Sequence, residues 1–146
     1  MLQQEQTYHS SEQFAADRRY WLERFADRPE PVSFVDRSVM PSEHFLRQTA
    51  HLPSTMLDDL RTVACRAGTN WPRVITAAMA AYMHCIIGVL EVILGLPVLG
   101  RFGSAARRIP SMMTNVVPLR LALRSGISVS DLVQQVSWEV RQVLRH

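Results

Sequence analysis

The apolar run from Val74 to Leu99 constrains the fold more than any other stretch of this sequence. It is long enough to suggest a membrane span, but His84, Gly88, Glu91, Gly95 and Pro97 interrupt it. A spanning helix needs about 20 predominantly apolar residues and rarely carries Glu and Pro inside them. The run therefore reads as two buried elements. The first is a helix that begins near Thr69 or Asn70, carries Pro72 in its first turn where a missing N–H does little harm, and runs through Val74, Ala77, Ala78, Ala81 and Tyr82 to about Ile87. It is apolar almost all round, which predicts burial on all sides. Gly88 ends it, and EVILGLPVL, residues 91–99, follows as a buried strand.

The other elements arrange themselves around this pair. Residues 8–26 read as a helix that Ser10 or Ser11 can cap, with Phe14, Tyr20, Trp21, Leu22 and Phe25 as its apolar positions. Pro29, Pro31 and Pro41 make the next segment an extended connector with a short β-like piece around Val32 to Val35. Residues 44–52 alternate as a strand would. A helix follows from Pro53-Ser54, with Asp58 and Asp59 near its positive end and Gly68 as its stop. Gly100 to Pro110 reads as a loop. Residues 115–123 read as a strand whose Pro118 requires an edge or a bulge. Val129 to Arg145 reads as an amphipathic helix capped by Ser128 or Ser130. The order is that of an α/β layered fold, with room for a crossover connection within one sheet.

Composition removes several functions. All 16 basic side chains are arginine, so lysine nucleophiles, Schiff bases and lysine-held phosphates are absent. The net charge is only +3 and the arginines are interleaved with acids, without the basic stripe of a nucleic-acid binder. Cys65 and Cys85 have no neighbouring cysteine and no zinc-type spacing, and read as buried free thiols in a reducing cytoplasm. Met1 to Glu12 is polar and lacks the apolar core of a signal peptide.

Four stretches together resemble the condensation domains of nonribosomal peptide synthetases: YHSSEQFAADRRYWLERF at 8–25, TNWPRVITAAMAAYMHCIIG at 69–88, EVILGLPVLGR at 91–101 and PSMMTNVVPLRL at 110–121. The resemblance covers most of the chain in matching order. It implies a chloramphenicol acetyltransferase-like layered α/β fold, here incomplete and mainly the second half of such a domain. Residues 1–28 would close the first half, 29–43 would connect, and 44–146 would form part of the second half. Complete domains of this family join acyl or peptidyl groups on one carrier protein to an amine on another, in a tunnel between the halves. Their signature is His-His-x-x-x-Asp-Gly. The histidines here are His9, His44, His51, His84 and His146, and none stands in that motif. A fragment without catalysis of its own is expected. The alternatives are a remnant that docks on a carrier protein or a complementary synthetase fragment, and another acyltransferase of the same fold.

The resemblance also names candidate site residues. Asn115 matches the family's asparagine near the reaction centre, where it can hold substrate, order the tunnel wall, or satisfy a loop. Gly100 and Arg101 match the turn after the strand. Arg101 can pair with a carboxylate of the other half or with a phosphopantetheine phosphate. Arg120 falls mid-strand, pointing away from Leu119 and Leu121, as an interface or solvent-facing arginine beside the tunnel. Arg107 and Arg108 are candidates for contact with an acidic carrier protein. Ser111 stands where the family has glycine, and Glu91 where it has aspartate. Tyr20 and Trp21 read as core anchors and His84 as a satisfied core histidine. No directly bound cofactor is expected, with phosphopantetheine residing on the partner carrier proteins. A half-sheet exposes strand edges and an apolar face. Poor solubility or self-association is therefore the expected behaviour in isolation, and a monodisperse, cooperatively melting monomer in sedimentation and thermal scans would contradict it.

Overall fold

The computed structural model describes residues 2–30, 34, 46–99 and 114–146. Most of the connector and the loop with Gly100, Arg101, Arg107, Arg108 and Ser111 lie outside the described residues. The elements are α1 (Leu2–His9), α2 (Glu12–Arg24), α3 (Ser54–Arg66), α4 (Trp71–Ile87), β1 (Glu91–Leu99), β2 (Thr114–Ala122) and α5 (Val129–Val143).

The helix expected over 8–26 is two helices. Ser11 adopts an extended conformation and its side chain accepts from Phe14 N at 3.2 Å, which starts α2 and separates it from α1. A serine that satisfies an orphan N–H competes with helix continuation at that point. At the end of α3, Gly68 takes φ +60°. Its N–H donates to Cys65 O at 3.0 Å, and Thr69 N–H donates to Ala64 O at 2.8 Å. This paired closure needs a left-handed residue, and glycine adopts one without strain. Asn70 caps α4 by accepting from Arg73 N, and Gly88, at φ +77°, ends it.

α4 is not buried on all sides. Val74, Ala77, Ala80 and Met83 form its buried stripe, while Met79, Tyr82 and Ile86 are 54%, 60% and 60% exposed. Among the described residues its apolar outer face meets Phe34, whose ring lies 6.2 Å from that of Tyr82, and no further layer. Cys65 and Cys85 likewise differ from expectation: both are free but exposed, because they fall on the outward sides of α3 and α4. Residues 46–52 of the expected strand over 44–52 are exposed and irregular, and 44 and 45 lie outside the described residues. Alternation supplies a strand's side-chain pattern, but a strand also needs a ladder partner, and that segment has none among the described residues.

β1 and β2 pair antiparallel in an unbroken register from Glu91↔Ala122 to Leu99↔Thr114. They are the two strands of the described sheet and need no crossover between them. Leu123 N–H donates to Leu90 O at 2.6 Å, and this fixes the phase of the ladder. Hydrogen-bonded pairs alternate from there, through Val92/Leu121 and Leu94/Leu119. Pro97 and Pro118 fall in the intervening pairs, opposite Val116 and Gly95, so the N–H each lacks would have pointed outward and no ladder bond is lost. No bulge is required.

One face of the pair carries Val92, Leu119 and Leu121, which pack with Leu132, Val133, Val136, Val140 and Val143 of α5 and the buried stripe of α4. Ser128 caps α5 by accepting from Asp131 N at 3.1 Å. On the other face Gly95 is hemmed in: a Cβ there would meet Val116 Cγ1 at 2.9 Å. Gly95→Val should therefore lower stability by about 1 kcal/mol in urea titrations, the low end of the range for overpacking because both positions are exposed, and Val116→Ala should restore part of the loss.

Candidate functional site

The densest polar cluster gathers around Arg120. Strand alternation puts this side chain opposite Ile93, on the face away from Leu119 and Leu121. There the C-terminal end of α2 covers it, leaving the side chain 15% exposed. Nε donates to Glu91 Oε1 at 2.6 Å and Nη2 to Glu91 Oε2 at 2.9 Å. Nη1 donates to Asp27 Oδ1 at 2.8 Å and to Arg24 O at 2.6 Å, and Nη2 also donates to Asp27 Oδ2. A guanidinium has five N–H donors, and these contacts use the whole fork. The ring of Phe25 lies 5.8 Å from its central carbon. Asp27, and then Glu91, raise the pKa of Arg120, while the hydrogen bonds from Arg120 hold the Asp27 carboxyl below its ordinary value.

Arg24 extends the cluster. Its Nη2 donates to Arg120 O at 3.0 Å and meets Glu139 Oε2 of α5 at 2.6 Å. The Glu139 carboxylate is buried. A second cluster holds the middle of α2. Asp17 is buried and accepts from Tyr8 Oη at 2.7 Å, Gln13 Nε2 at 2.7 Å and His146 Nδ1 at 2.9 Å. The His146 ring stacks on Tyr20 at 4.2 Å between centroids. Burial pushes the Asp17 carboxyl up, but the hydrogen bonds from Tyr8, His146 and Gln13 more than offset this and hold it below the ordinary value. The same Asp17 hydrogen bond, aided by burial, raises the Tyr8 hydroxyl.

Asn115 sits five residues from Arg120 on β2, about 17 Å along the strand and on the opposite face. It is exposed, lies opposite Val98, and its Oδ1 accepts from Val116 N at 2.8 Å. Asn115 and Arg120 are therefore not brought to one point. Gly100, Arg101, Arg107 and Arg108 lie outside the described residues. His84 is half-buried and its Nδ1 donates to Val89 O at 2.6 Å. Trp21 packs against the core, and Tyr20 takes its place as the platform for His146. Sequence reading did not single out Arg24, Asp27, Asp17, Glu139 or His146. Their contacts with β2, α5 and the C-terminal residue join positions 93 to 129 apart, and helical or strand periodicity carries no signal at that range. Among the described residues no group of three or more His, Cys, Asp or Glu is placed to hold a metal ion. No helix among them is long and apolar enough to cross a membrane. A shallow groove of about 510 Å³ runs along Phe14, Ala15, Arg18, Arg19, Leu22 and Glu23, all on α2, and is a surface feature of one helix.

Helices layered on one face of an antiparallel pair, with α2 tied by charge to β2 and α5 through Arg120 and Arg24, define a layered α/β architecture. The chain belongs to the condensation-domain family: the family profile described as Condensation domain matches residues 2–146. It is 44% identical over 146 residues to a dimodular nonribosomal peptide synthase of Bacillus subtilis (strain 168), covering 100% of this chain and 6% of that protein. It is 38% identical over 143 residues to an isonitrile lipopeptide synthase of Streptomyces coeruleorubidus, covering 98% of this chain and 10% of that protein. Among solved structures, the first condensation domain of the CDA synthetase superposes with a TM-score of 0.89 at 37% identity, over 96% of this chain and 31% of that one. The starter condensation domain of rhizomide synthetase, solved as a variant in complex with C8-CoA, gives 0.81 at 40% identity, over 99% and 32%. The chain thus carries part of a condensation-domain fold, spanning about a third of the solved domains it matches and a small share of the curated relatives. Proteins of this kind work with carrier-protein domains.

Removing the guanidinium should loosen α2 from the sheet. Arg120→Ala is expected to cost about 1.5–3 kcal/mol, the range for hydrogen bonds to charged groups, and Arg120→Lys to recover less than half of it because a point charge cannot fill the fork. Denaturant titrations of the three proteins measure this. A pH dependence follows from Asp17 and Asp27. Both carboxyls are held below their ordinary values, so their contribution is present above the unfolded value near 3.9 and is lost as the pH falls through the lowered folded values. Urea midpoints should drop steeply below about pH 4, and the double variant Asp17→Asn, Asp27→Asn should flatten that drop.

Proposed function

We propose that the chain serves as the structural and tunnel-lining part of a condensation domain that makes amide bonds between carrier-tethered acyl or peptidyl and aminoacyl groups. The observation that carries this reading is the family match over residues 2–146, together with the absence of His-His-x-x-x-Asp-Gly from the 146 residues. In this reading residues 1–28 end the first half, 29–43 connect, and 44–146 build part of the second half. Asn115, Gly100 and Arg101 face the substrates. Arg120 belongs to the tunnel wall by holding it, since its five donors already have partners. Arg107 and Arg108 meet the acidic surface of a carrier protein, whose phosphopantetheine arm brings the thioester. Such a domain acts chiefly by alignment of two tethered reactants, and the imidazole that handles the proton comes from the signature motif.

The exposed apolar face of α4 favours a second reading, in which the chain is a non-catalytic module that docks on a complementary synthetase segment or a carrier protein. The two readings part in one assay. The purified chain mixed with acyl-loaded and aminoacyl-loaded carrier proteins should give no amide product. Adding a polypeptide that bears the His-His-x-x-x-Asp-Gly half should give product by mass spectrometry. Binding without product, with both carriers loaded, would favour the docking module, and turnover by the chain unaided would refute both.

A further inference from the structure

The inner side of α5 is fully engaged, and its outer side is not. Leu132, Val133, Val136, Val140 and Val143 are buried, and Glu139 turns inward to Arg24. Gln134, Trp138, Arg141 and Arg145 follow at helical spacing along the opposite stripe. α5 ends at Val143, but Arg145 N–H donates to Gln142 O at 3.0 Å and so stays on the same winding. The stripe runs for roughly 15 Å. All four side chains are exposed, and the Trp138 indole is 50% exposed.

This stripe carries uncompensated positive charge. Arg141 and Arg145 form no ion pair among the described residues, in contrast with Arg24, Arg61 and Arg120. The acids of α5 are engaged elsewhere: Glu139 with Arg24, and Asp131 at the far end of the helix with the Ser128 hydroxyl. A cation in the last turn complements the helix dipole, which accounts for Arg141. It gives no reason for an indole left in water beside two arginines. Trp and Arg together are the composition of binding hot spots. The indole offers apolar area, and each guanidinium offers a fork that matches a carboxylate. The surface these groups fit has an apolar depression flanked by carboxylates about one helical turn apart, as on an acidic helix. A second copy of this chain does not fit, because pairing like stripes would set arginine against arginine. α5 is itself held by β2, α4 and Arg24, so the stripe is presented on a fixed element and little ordering is needed on binding.

We infer that the outer stripe of α5 is a docking surface for an acidic helix of a carrier-protein domain, with Trp138 as the apolar anchor and Arg141 and Arg145 as the ionic contacts. This rests on the proposed function, which makes carrier domains the partners, and adds a helix-borne contact to that of Arg107 and Arg108.

The test titrates the full chain with a phosphopantetheinylated carrier-protein domain of a nonribosomal peptide synthetase, bearing no acyl group, by calorimetry at low and high salt. The double variant Arg141→Glu, Arg145→Glu should bind at least about 10-fold more weakly and lose most of the salt dependence. Trp138→Ala should weaken binding by at least about 10-fold at either salt concentration. Arg66→Glu, Arg124→Glu changes the net charge equally at exposed positions away from the stripe, and should bind as the parent chain does. Circular dichroism checks that each variant is folded. Parent-like binding by both stripe variants, or no binding by the folded parent chain, overturns the inference. Equal weakening by the Arg66, Arg124 variant does so too, since net charge alone would then explain the loss. A dimer of the chain alone that Trp138→Ala dissociates in sedimentation overturns it in favour of a second copy. The proposed function is read separately, by adding the polypeptide that bears His-His-x-x-x-Asp-Gly and both loaded carriers. Amide product formed at the parent rate by both stripe variants sinks this inference and spares that function. Carrier binding that depends on the stripe, without any product, does the reverse.

Discussion

The phase of one hydrogen-bond ladder governs most of this structure. With Leu90 and Leu123 bonded face to face, every even position of β1 and every odd position of β2 turns its backbone inward. Both prolines then fall where an N–H is dispensable. Val92, Leu119 and Leu121 share the face that meets α4 and α5, and Ile93 and Arg120 share the other. A slip of one residue would bury Arg120 among valines and turn Leu119 to the outside. It would also set one of the two prolines in a bonded pair. Hydrophobic pattern and proline placement thus demand the same register, a local agreement that favours a single fold.

What could be read from the chain divides along the same line. The boundaries of α4 and β1 were legible because Asn70, Pro72 and Gly88 act locally, through capping and a left-handed φ. Ser11 acts locally too, yet it gave two helices where aromatic spacing suggested one, since periodicity continues across a break that a single capping hydroxyl makes. The exposure of Met79, Tyr82 and Ile86 was illegible because an apolar helix surface specifies a need for cover and not the presence of it. Residues 46–52 differ from expectation for the same reason, carrying a strand's alternation without a neighbour to pair with.

The polar framework was only partly legible. Arg120 stood out as a charge in an apolar strand, and Glu91 as a departure from the family pattern, but nothing in their spacing announced that they share one fork. Asp27 and Arg24 join them from 93 and 96 residues away. Asn115 was marked by resemblance. The structure gives it a local task, closing the Val116 N–H with its own side chain, which leaves its amide donors available.

Why α2 should be held by ions at all has a physical answer. Ion pairs as sheltered as Arg24–Glu139 lose much of their Coulombic gain to desolvation, and apolar replacements of similar volume are often as stable. Stability is therefore a poor reason for the arrangement, and orientation is a better one. Apolar contacts between α2 and the sheet would tolerate sliding by a turn or rotation about the helix axis. The Arg120 fork donates to two carboxylates and one carbonyl, and Arg24 returns a bond to the backbone of the same residue. Those directional contacts permit one placement of α2 on the strand pair. In the proposed reading, alignment of two tethered substrates needs walls fixed relative to each other more than it needs extra kilocalories. Among the described residues, the reciprocal Arg24–Arg120 exchange supplies such a constraint, beside the Asp17 cluster at the middle of α2.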